Sequence, residues 1–384
     1  GGGNMELILK QYDIPLLRFS ATNDSSTPEI EVHWINEDQR HLLPLDMELS
    51  PEGISRWMRR RTIPRNRAYV NRLLAKCGLN ANRPMGILAL CKGLSVDDSY
   101  WVVEEGFEGT FEKYNLFENR FSEVLALIAF TGYGSSNRSS LASSPEFTTN
   151  GMLPKCWRRI SGKVTLYKGG TDGGYNTGAE PYCEYYAAQI AAAMGIDAIS
   201  YGLSQWKGRL CSTCELFTDI DHAYMPIGNL VQRGGFDAVA AYYEKLGEPF
   251  QKAFRDMLVF DAVICNTDRH YGNFGFMIDN KNNTIAAPAP LFDHGNSLFN
   301  QAGPEDYESP EAFQQYIDTL VPCVYDDFFA TAKRFMADEN REQLRKLLGF
   351  RFKRHVRYNL PPKRLKLMEE QVRKRAMRLL ENKE

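Results

Sequence analysis

No apolar run in this chain reaches the roughly eighteen residues that a membrane-spanning helix requires, so a membrane helix is excluded. The chain also lacks a secretory leader, and Gly1-Gly2-Gly3-Asn4 reads as a non-native extension before Met5. Its eight cysteines show no framework spacing, which rules against a disulfide-stapled domain and points to a reducing, cytoplasmic setting. Cys211-x-x-Cys214 has no second pair and lies in a strand-like stretch, so a structural role is expected ahead of a zinc or redox one. No internal repeat is present. Residues 53–96 contain no aspartate or glutamate, yet Arg56, Arg59, Arg60, Arg61, Arg65, Arg67, Arg72 and Lys76 crowd into them. Residues 55–61 and 65–76 read as two short helices around Thr62-Ile63-Pro64, with Tyr69, Leu73 and Leu74 turned inward and the arginines outward. Such a face, Arg56 to Lys76, suits a nucleic acid or an acidic protein, unless Glu104, Glu105 and Glu108 neutralise it. No helix-turn-helix or zinc pattern accompanies it.

The 384 residues, 43% of them hydrophobic, suffice for two or three domains with buried cores. The chemistry is carried by Asn266-Thr267-Asp268-Arg269-His270-Tyr271-Gly272-Asn273, followed by Leu291-Phe292-Asp293-His294-Gly295. An acid, an amide and a second acid beside a glycine are what phosphoryl transfer from a Mg-nucleotide needs: one carboxylate for the attacking hydroxyl, an amide oxygen and a carboxylate for the metal. Residues 274–278 read as a strand, 279–283 as a turn and 284–292 as its antiparallel return, which brings Asn273 and Asp293 together. Pro288 and Pro290 lack backbone donors and mark the return as an edge or irregular strand.

In conventional protein kinases the order is His-Arg-Asp with an asparagine five residues after the acid. Here the acid comes first and Asn273 keeps the five-residue spacing. This arrangement resembles the HipA-like serine/threonine protein kinases and, more distantly, phosphatidylinositol kinases. The resemblance implies that Asp268 is the catalytic acid/base, that Asn273 and Asp293 bind Mg2+, and that His270 is a structural or phosphate-side residue. Upstream, Lys168 ends a strand-like stretch (163–168), and Glu184 lies early in a helix running from near Pro181 to Gly195. A kinase lysine is steadied by a glutamate on the following helix, so Lys168 and Glu184 are the expected pair at the ATP phosphates.

Residues 196–202 and 209–217 read as two more strands, the second ending in Glu215-Leu216-Phe217, which loosely fits the adenine hinge of HipA-like kinases. No Gly-x-Gly-x-x-Gly precedes Lys168. Its place is taken by a hydroxyl-rich loop with Ser139, Ser140, Ser143, Ser144, Thr148 and Thr149, either a phosphate-binding loop with Ser143, Ser144 and Thr148 at the nucleotide or a flexible linker. By resemblance, phosphorylation of this loop silences the enzyme.

The expected fold is α+β: a two-lobed protein-kinase-like fold with a small β-rich N-lobe, a mostly helical C-lobe and an additional N-terminal α/β module. The boundaries are residues 5–130 for the module, 131–150 for the serine-rich loop, 151–217 for the N-lobe and 218–384 for the C-lobe. Strands are expected over residues 6–10, 29–34 and 100–103, and a final helix from Pro362 with Leu365, Met368 and Val372 buried. The reading is an ATP- and Mg-dependent Ser/Thr protein kinase, with a bacterial toxin–antitoxin setting, an antitoxin partner and a protein substrate implied by resemblance. Two rivals stand beside it. A lipid or small-molecule kinase shares the catalytic loop, but His294 to Tyr307 holds no lysine or arginine for a phosphoinositide headgroup. A binding module on a relic kinase fold would not need all five catalytic residue types.

Overall fold

The computed structural model describes residues 3–23, 26–62, 67–80, 82–133, 144–147, 149, 152–173 and 177–382. Ser139, Ser140, Ser143, Thr148 and Arg65 lie outside the described residues. In chain order come β1 (Asn4–Gln11), β2 (Ile14–Thr22), β3 (Ile30–Ile35), α1 (Pro51–Arg60), α2 (Val70–Lys76), α3 (Pro84–Cys91), β4 (Tyr100–Glu104), α4 (Phe111–Tyr114) and α5 (Glu123–Thr131). Next follow β5 (Lys155–Ile160), β6 (Lys163–Gly169), α6 (Glu180–Met194), β7 (Gly202–Trp206), β8 (Arg209–Glu215) and β9 (His222–Pro226). The remainder is α7 (Ile227–Leu230), α8 (Gly235–Leu246), α9 (Phe250–Ile264), β10 (Gly275–Asp279), β11 (Thr284–Pro288), α10 (Pro310–Ile317), α11 (Phe328–Phe335), α12 (Asp338–Arg345) and α13 (Pro362–Leu380). The chain divides into two compact units. One comprises Gly1–Lys168, Glu215–Met225 and Met277–Ala286; the other comprises Gly169–Cys214, Pro226–Phe276 and Ala287–Glu384.

In the first unit, β1 sits inside an antiparallel sheet of order β3-β2-β1-β4. Its unbroken Leu7-Ile8-Leu9 run follows from covering on both faces. Leu7 and Leu9 join Leu17, Phe19, Trp57 and Met58 on one side, while Ile8 joins Trp101, Val103 and Phe111 on the other. Strands β1, β3 and β4 lie where the sequence placed them; β2, with its mixed apolar and polar residues, was not recognised. The sheet of order β11-β10-β9 leaves β11, which ends on Pro288, at an edge. The turn between β10 and β11 is anchored: Asn280 accepts Gln11 Nε2 at its carbonyl (2.6 Å), and Asn283 donates to the carbonyls of His41 and Leu43 (3.0 and 2.7 Å).

The arginine-rich region departs from its expected outward face. Two of its arginines are interior cations. Arg61 donates bidentately to Asp98 (2.7 Å twice) and to the carbonyls of Gly93 and Tyr100 (2.8 and 3.0 Å). Arg67 is buried against Glu146, donating to its carboxylate at 2.8 Å and to the Lys155 carbonyl at 3.1 Å. Glu146 also receives the Trp157 amide (3.1 Å), so this cluster staples the segment before β5 to the strand itself. Arg56 pairs with Glu48 and Arg60 with Asp46, and the expected partner Glu105 is paired with Arg18 instead. The acids come from outside the acid-free stretch, which is why local sequence could not name them. A third helix, α3, completes the region.

In the second unit, α9 is buried throughout its C-terminal half, from Asp256 to Ile264, and packs against α8, α11, α12 and α13. Two buried acids interrupt it. Asp256 is satisfied by Asn340 (2.9 Å), Gln343 (3.1 Å) and Lys252 (2.7 Å); Asp261 faces the functional loop. Leu365, Met368 and Val372 are buried on α13 as expected. Residues 196–202 do not form the expected strand. They follow the left-handed Gly195 (φ 76°) and make one parallel bridge, Ala198 to Leu291, before β7 begins at Gly202. Alternating apolar residues alone cannot separate such a bridge from a strand.

The two kinds of arginine predict opposite outcomes. Arg59→Glu, at an exposed position without an acidic partner among the described residues, should change stability by no more than about 0.5 kcal/mol. Arg61→Glu places an acid beside Asp98 and orphans two carbonyls, and should cost about 3 kcal/mol or more. Urea unfolding midpoints of the two variants decide it; equal midpoints would refute the interior assignment.

Candidate active site

Helix α9 stops at Cys265, which takes a left-handed conformation (φ 53°) and turns the chain into residues 266–273. The loop is internally braced. Asn266 Oδ1 accepts the Asp268 amide (3.0 Å), the His270 carbonyl accepts the Asn273 amide (2.9 Å), and Asn273 Nδ2 donates to the Asp268 carbonyl (3.0 Å). That last bond fixes the Asn273 side chain against the Asp268 backbone.

Arg269 lies beneath, 2% exposed. A guanidinium has five N–H donors and no acceptor. Here Nε and Nη2 grip the two Asp261 oxygens (3.0 Å each), and Nη1 reaches the carbonyls of Asn273 (3.3 Å) and Phe292 (2.6 Å). Nη2 also meets His294 Nδ1 at 3.2 Å, and since arginine only donates, that nitrogen accepts. One buried cation thus joins the residue entering the β10–β11 hairpin to the residue leaving it.

Asp293 is held in the left-handed region (φ 60°), where a non-glycine residue is strained. Its amide is accepted by the Tyr201 hydroxyl at 2.9 Å. Burial pushes the Tyr201 phenol well above its ordinary value, so it stays protonated. Gly295 follows where α6 comes closest: a Cβ there would lie 3.1 Å from Glu180 Cβ and 3.5 Å from Glu184 Cγ. Glu184 is fully buried on α6 and accepts Ser212 Oγ at 3.2 Å. The helix therefore runs where sequence placed it, with Glu184 against the Asp293-His294-Gly295 turn.

Asp268 is half-buried. Its Oδ2 accepts Asn296 Nδ2 at 3.1 Å. Burial raises its carboxyl above the usual range, and nearby Asp293 adds to the rise; His270, Asn296 and Arg269 act against it. His270 itself is exposed and uses Nδ1 to accept the Gly272 amide (3.1 Å), a local turn role.

The other expected residues are placed as follows. Lys168, on β6, is buried and stands opposite Lys155 across the antiparallel β5–β6 pair, a second buried lysine that the sequence reading did not single out. Ser144 is buried and its hydroxyl accepts the Glu146 amide (3.2 Å), so it is engaged in its own turn. Glu215 is exposed and ion-paired with Lys163 (3.0 Å). Phe217 packs edge-on to Tyr224, ring centroids 5.6 Å apart. Sequence reasoning assigned no role to Asp261, Arg269, Tyr201, Ser212 or Asn296. Arg269 and Asn296 lie within or just beyond the motifs, but nothing in their spacing signals a partner.

Among the described residues, no three His, Cys, Asp or Glu side chains form a cation cage. Mg2+ does not need one, because it binds through one or two protein oxygens together with substrate phosphates and water. The side-chain oxygens of Asn273 and Asp293, on segments that Arg269 ties together through the Asn273 and Phe292 carbonyls, suit that donor set. No helix among the described residues is long and apolar enough to cross a membrane.

No protein-family model matches the chain. A curated serine/threonine-protein kinase, CtkA of Helicobacter pylori, is 27% identical over 135 residues, 32% of this chain and 41% of that protein. The chain thus spans well under two thirds of that relative's length. The crystal structure of the H. pylori proinflammatory kinase CtkA aligns with 59% of this chain and 88% of its own, at 16% identity and a TM-score of 0.46. HipA of Shewanella oneidensis MR-1, solved with HipB and operator DNA, aligns over 97% of both chains at 14% identity and a TM-score of 0.51. With its mixed sheets and buried helical core, the chain shares an α+β, kinase-like fold with HipA.

Proposed function

We propose that the chain is an ATP- and Mg-dependent protein kinase that transfers the γ-phosphoryl group to a serine or threonine hydroxyl. The observation that carries this reading is that the buried Arg269 guanidinium ties the Asn273 carbonyl to that of Phe292, next to Asp293, while Asn273 Nδ2 donates to the Asp268 carbonyl. Asp268 accepts a hydrogen bond from the attacking hydroxyl and aligns it with the phosphorus; its raised basicity suits it to take the proton as the bond forms. The Asn273 oxygen and the Asp293 carboxylate hold Mg2+, which supplies charge neutralisation to the phosphates when bound. Lys168 is assigned to the nucleotide phosphates and Glu184 to orienting the phosphate-binding cation, as the order of lysine strand and glutamate helix suggests. Glu215, Phe217 and the hydroxyl-rich loop remain the proposed nucleotide contacts, with Ser143, Ser144 and Thr148 assigned to the phosphates.

An antitoxin-like protein partner in a cytoplasmic toxin–antitoxin pair is part of the proposal, supported by the end-to-end fold likeness to HipA, which was solved with HipB and operator DNA. For a nucleic acid or acidic protein, the arginine-rich region offers, among the described residues, Arg56, Arg59, Arg60, Arg72 and Lys76, since Arg61 and Arg67 are interior.

Three substitutions separate the roles. Asp268→Ala should abolish transfer while Mg-ATP affinity stays within about threefold, because the acid meets the acceptor. Asp293→Ala should weaken Mg-ATP binding at least about tenfold, as expected for loss of a charged metal ligand. Isothermal titration of both variants decides the assignment, and equal losses would reverse it. Arg269→Met leaves Asp261 buried without its cation and should cost about 3–5 kcal/mol in urea unfolding; a loss below about 1 kcal/mol would deny the clamp its structural role.

A further inference from the structure

The Asp268 carboxylate is not simply left at the end of its loop. An ionised carboxylate can only accept, so the side-chain group of Asn296 that faces Oδ2 at 3.1 Å is its Nδ2 amine. An amide, however, can present either end. The end it presents here is set by Asn300, whose Nδ2 donates to Asn296 Oδ1 at 3.1 Å. Asn296 is also fixed through its main chain: its carbonyl accepts the Thr267 amide (3.1 Å) and the Thr267 hydroxyl (3.3 Å), the residue just before Asp268.

Asn300 is fixed in turn. Leu298 and Phe299 take successive left-handed conformations (φ 50° and 64°), a tight reversal that returns the chain toward Asn296. Both are apolar and fully buried, so the strained turn is anchored by packing. The Leu298 amide donates to the Ile264 carbonyl at 2.7 Å, and Arg364 of α13 donates to the carbonyls of Phe299 (3.1 Å) and Asn300 (3.4 Å). The relay therefore runs from α13 through Asn300 and Asn296 to one oxygen of Asp268.

We infer that Asn296 and Asn300 are positioning residues for phosphoryl transfer: Asn300 polarises the Asn296 amide so that it holds Asp268 Oδ2, leaving Oδ1 to meet the acceptor hydroxyl. This rests on the kinase reading above. Neither residue needs to touch nucleotide or metal, so both should govern turnover and not ATP affinity. A bond to a charged group that also fixes a reacting carboxylate contributes about 10- to 100-fold to rate.

The two asparagines allow a test that packing alone cannot imitate. Asn296→Ala removes the bond outright. Asn300→Asp is nearly isosteric but turns the donor into an acceptor, which flips the Asn296 amide and aims its oxygen at Asp268. Asn300→Ala only releases the amide. The full-length chain is assayed with γ-labelled ATP, following transfer to itself and to dephosphorylated casein, together with KM for ATP and thermal unfolding. The expected result is a kcat about 10- to 100-fold lower for Asn296→Ala and for Asn300→Asp, less than about fivefold lower for Asn300→Ala, and KM for ATP within about twofold throughout. The inference is overturned if Asn296→Ala turns over like the parent, or if Asn300→Asp and Asn300→Ala fall equally. Loss of the folded transition in both Asn300 variants would also overturn it, since that marks a purely structural pair. A parent that labels neither itself nor casein refutes the kinase reading and the inference with it; a parent that labels while the asparagine variants match it refutes the inference alone.

Discussion

The Arg269 guanidinium is the constraint on which the candidate site depends. Every one of its N–H donors is used, two on Asp261, one each on the carbonyls of Asn273 and Phe292, and one on His294. A buried cation of this kind is not chosen for stability alone, since desolvating both partners consumes much of the attraction. What it secures is geometry. The fork is planar and rigid, so the carbonyls it holds cannot drift apart, and the side chains next to them keep a common reference. Asp261 lies on the buried C-terminal half of α9, and the loop is thereby referenced to that core.

Around this clamp the chain accepts local strain. Asp293, Leu298 and Phe299 all take left-handed backbone conformations within seven residues. Each has a compensating contact: the Tyr201 hydroxyl for the Asp293 amide, burial for Leu298 and Phe299, and the Ile264 carbonyl for the Leu298 amide. Strain that the surroundings over-determine is a common property of sites that must present a group in one direction. Burial raises the Asp268 carboxyl and the nearby Asp293 carboxylate adds to the rise, an arrangement that suits cation-assisted chemistry at an acceptor hydroxyl.

The first unit solves a different problem with the same residue type. Its acid-free stretch supplies Arg61 and Arg67 as interior cations, answered by Asp98 and Glu146 from segments far along the chain. Arg61 ties the end of α1 to the approach to β4, and Arg67 ties the approach to α2 to the start of β5. A run of one sign in sequence is thus not a surface of one sign in space. The outward electrostatic face is smaller than composition suggests, and two of its members, Arg56 and Arg60, carry acids of their own.

Much of this was legible in order and spacing. Helix α6 with its glycine stop, the β10–β11 hairpin with its proline-marked edge, the buried stripe of α13 and the α+β class all follow from short-range patterns that local sterics and periodicity enforce. The same spacing singled out Asp268, Asn273, Asp293 and Glu184, because loop chemistry is written within a few residues. Local pattern failed where the deciding partner was remote: β2 took its place from register with β1, and residues 196–202 became a bridge by meeting Leu291. Sequence by itself determined which residue types stand at the loop ends and how far apart along the chain. Only the tertiary structure decided that Arg269 should join them, that Tyr201 should hold Asp293 and that Asn296 should hold Asp268. Those contacts link segments that no periodicity relates, and burial supplies the low-polarity surroundings in which they become specific.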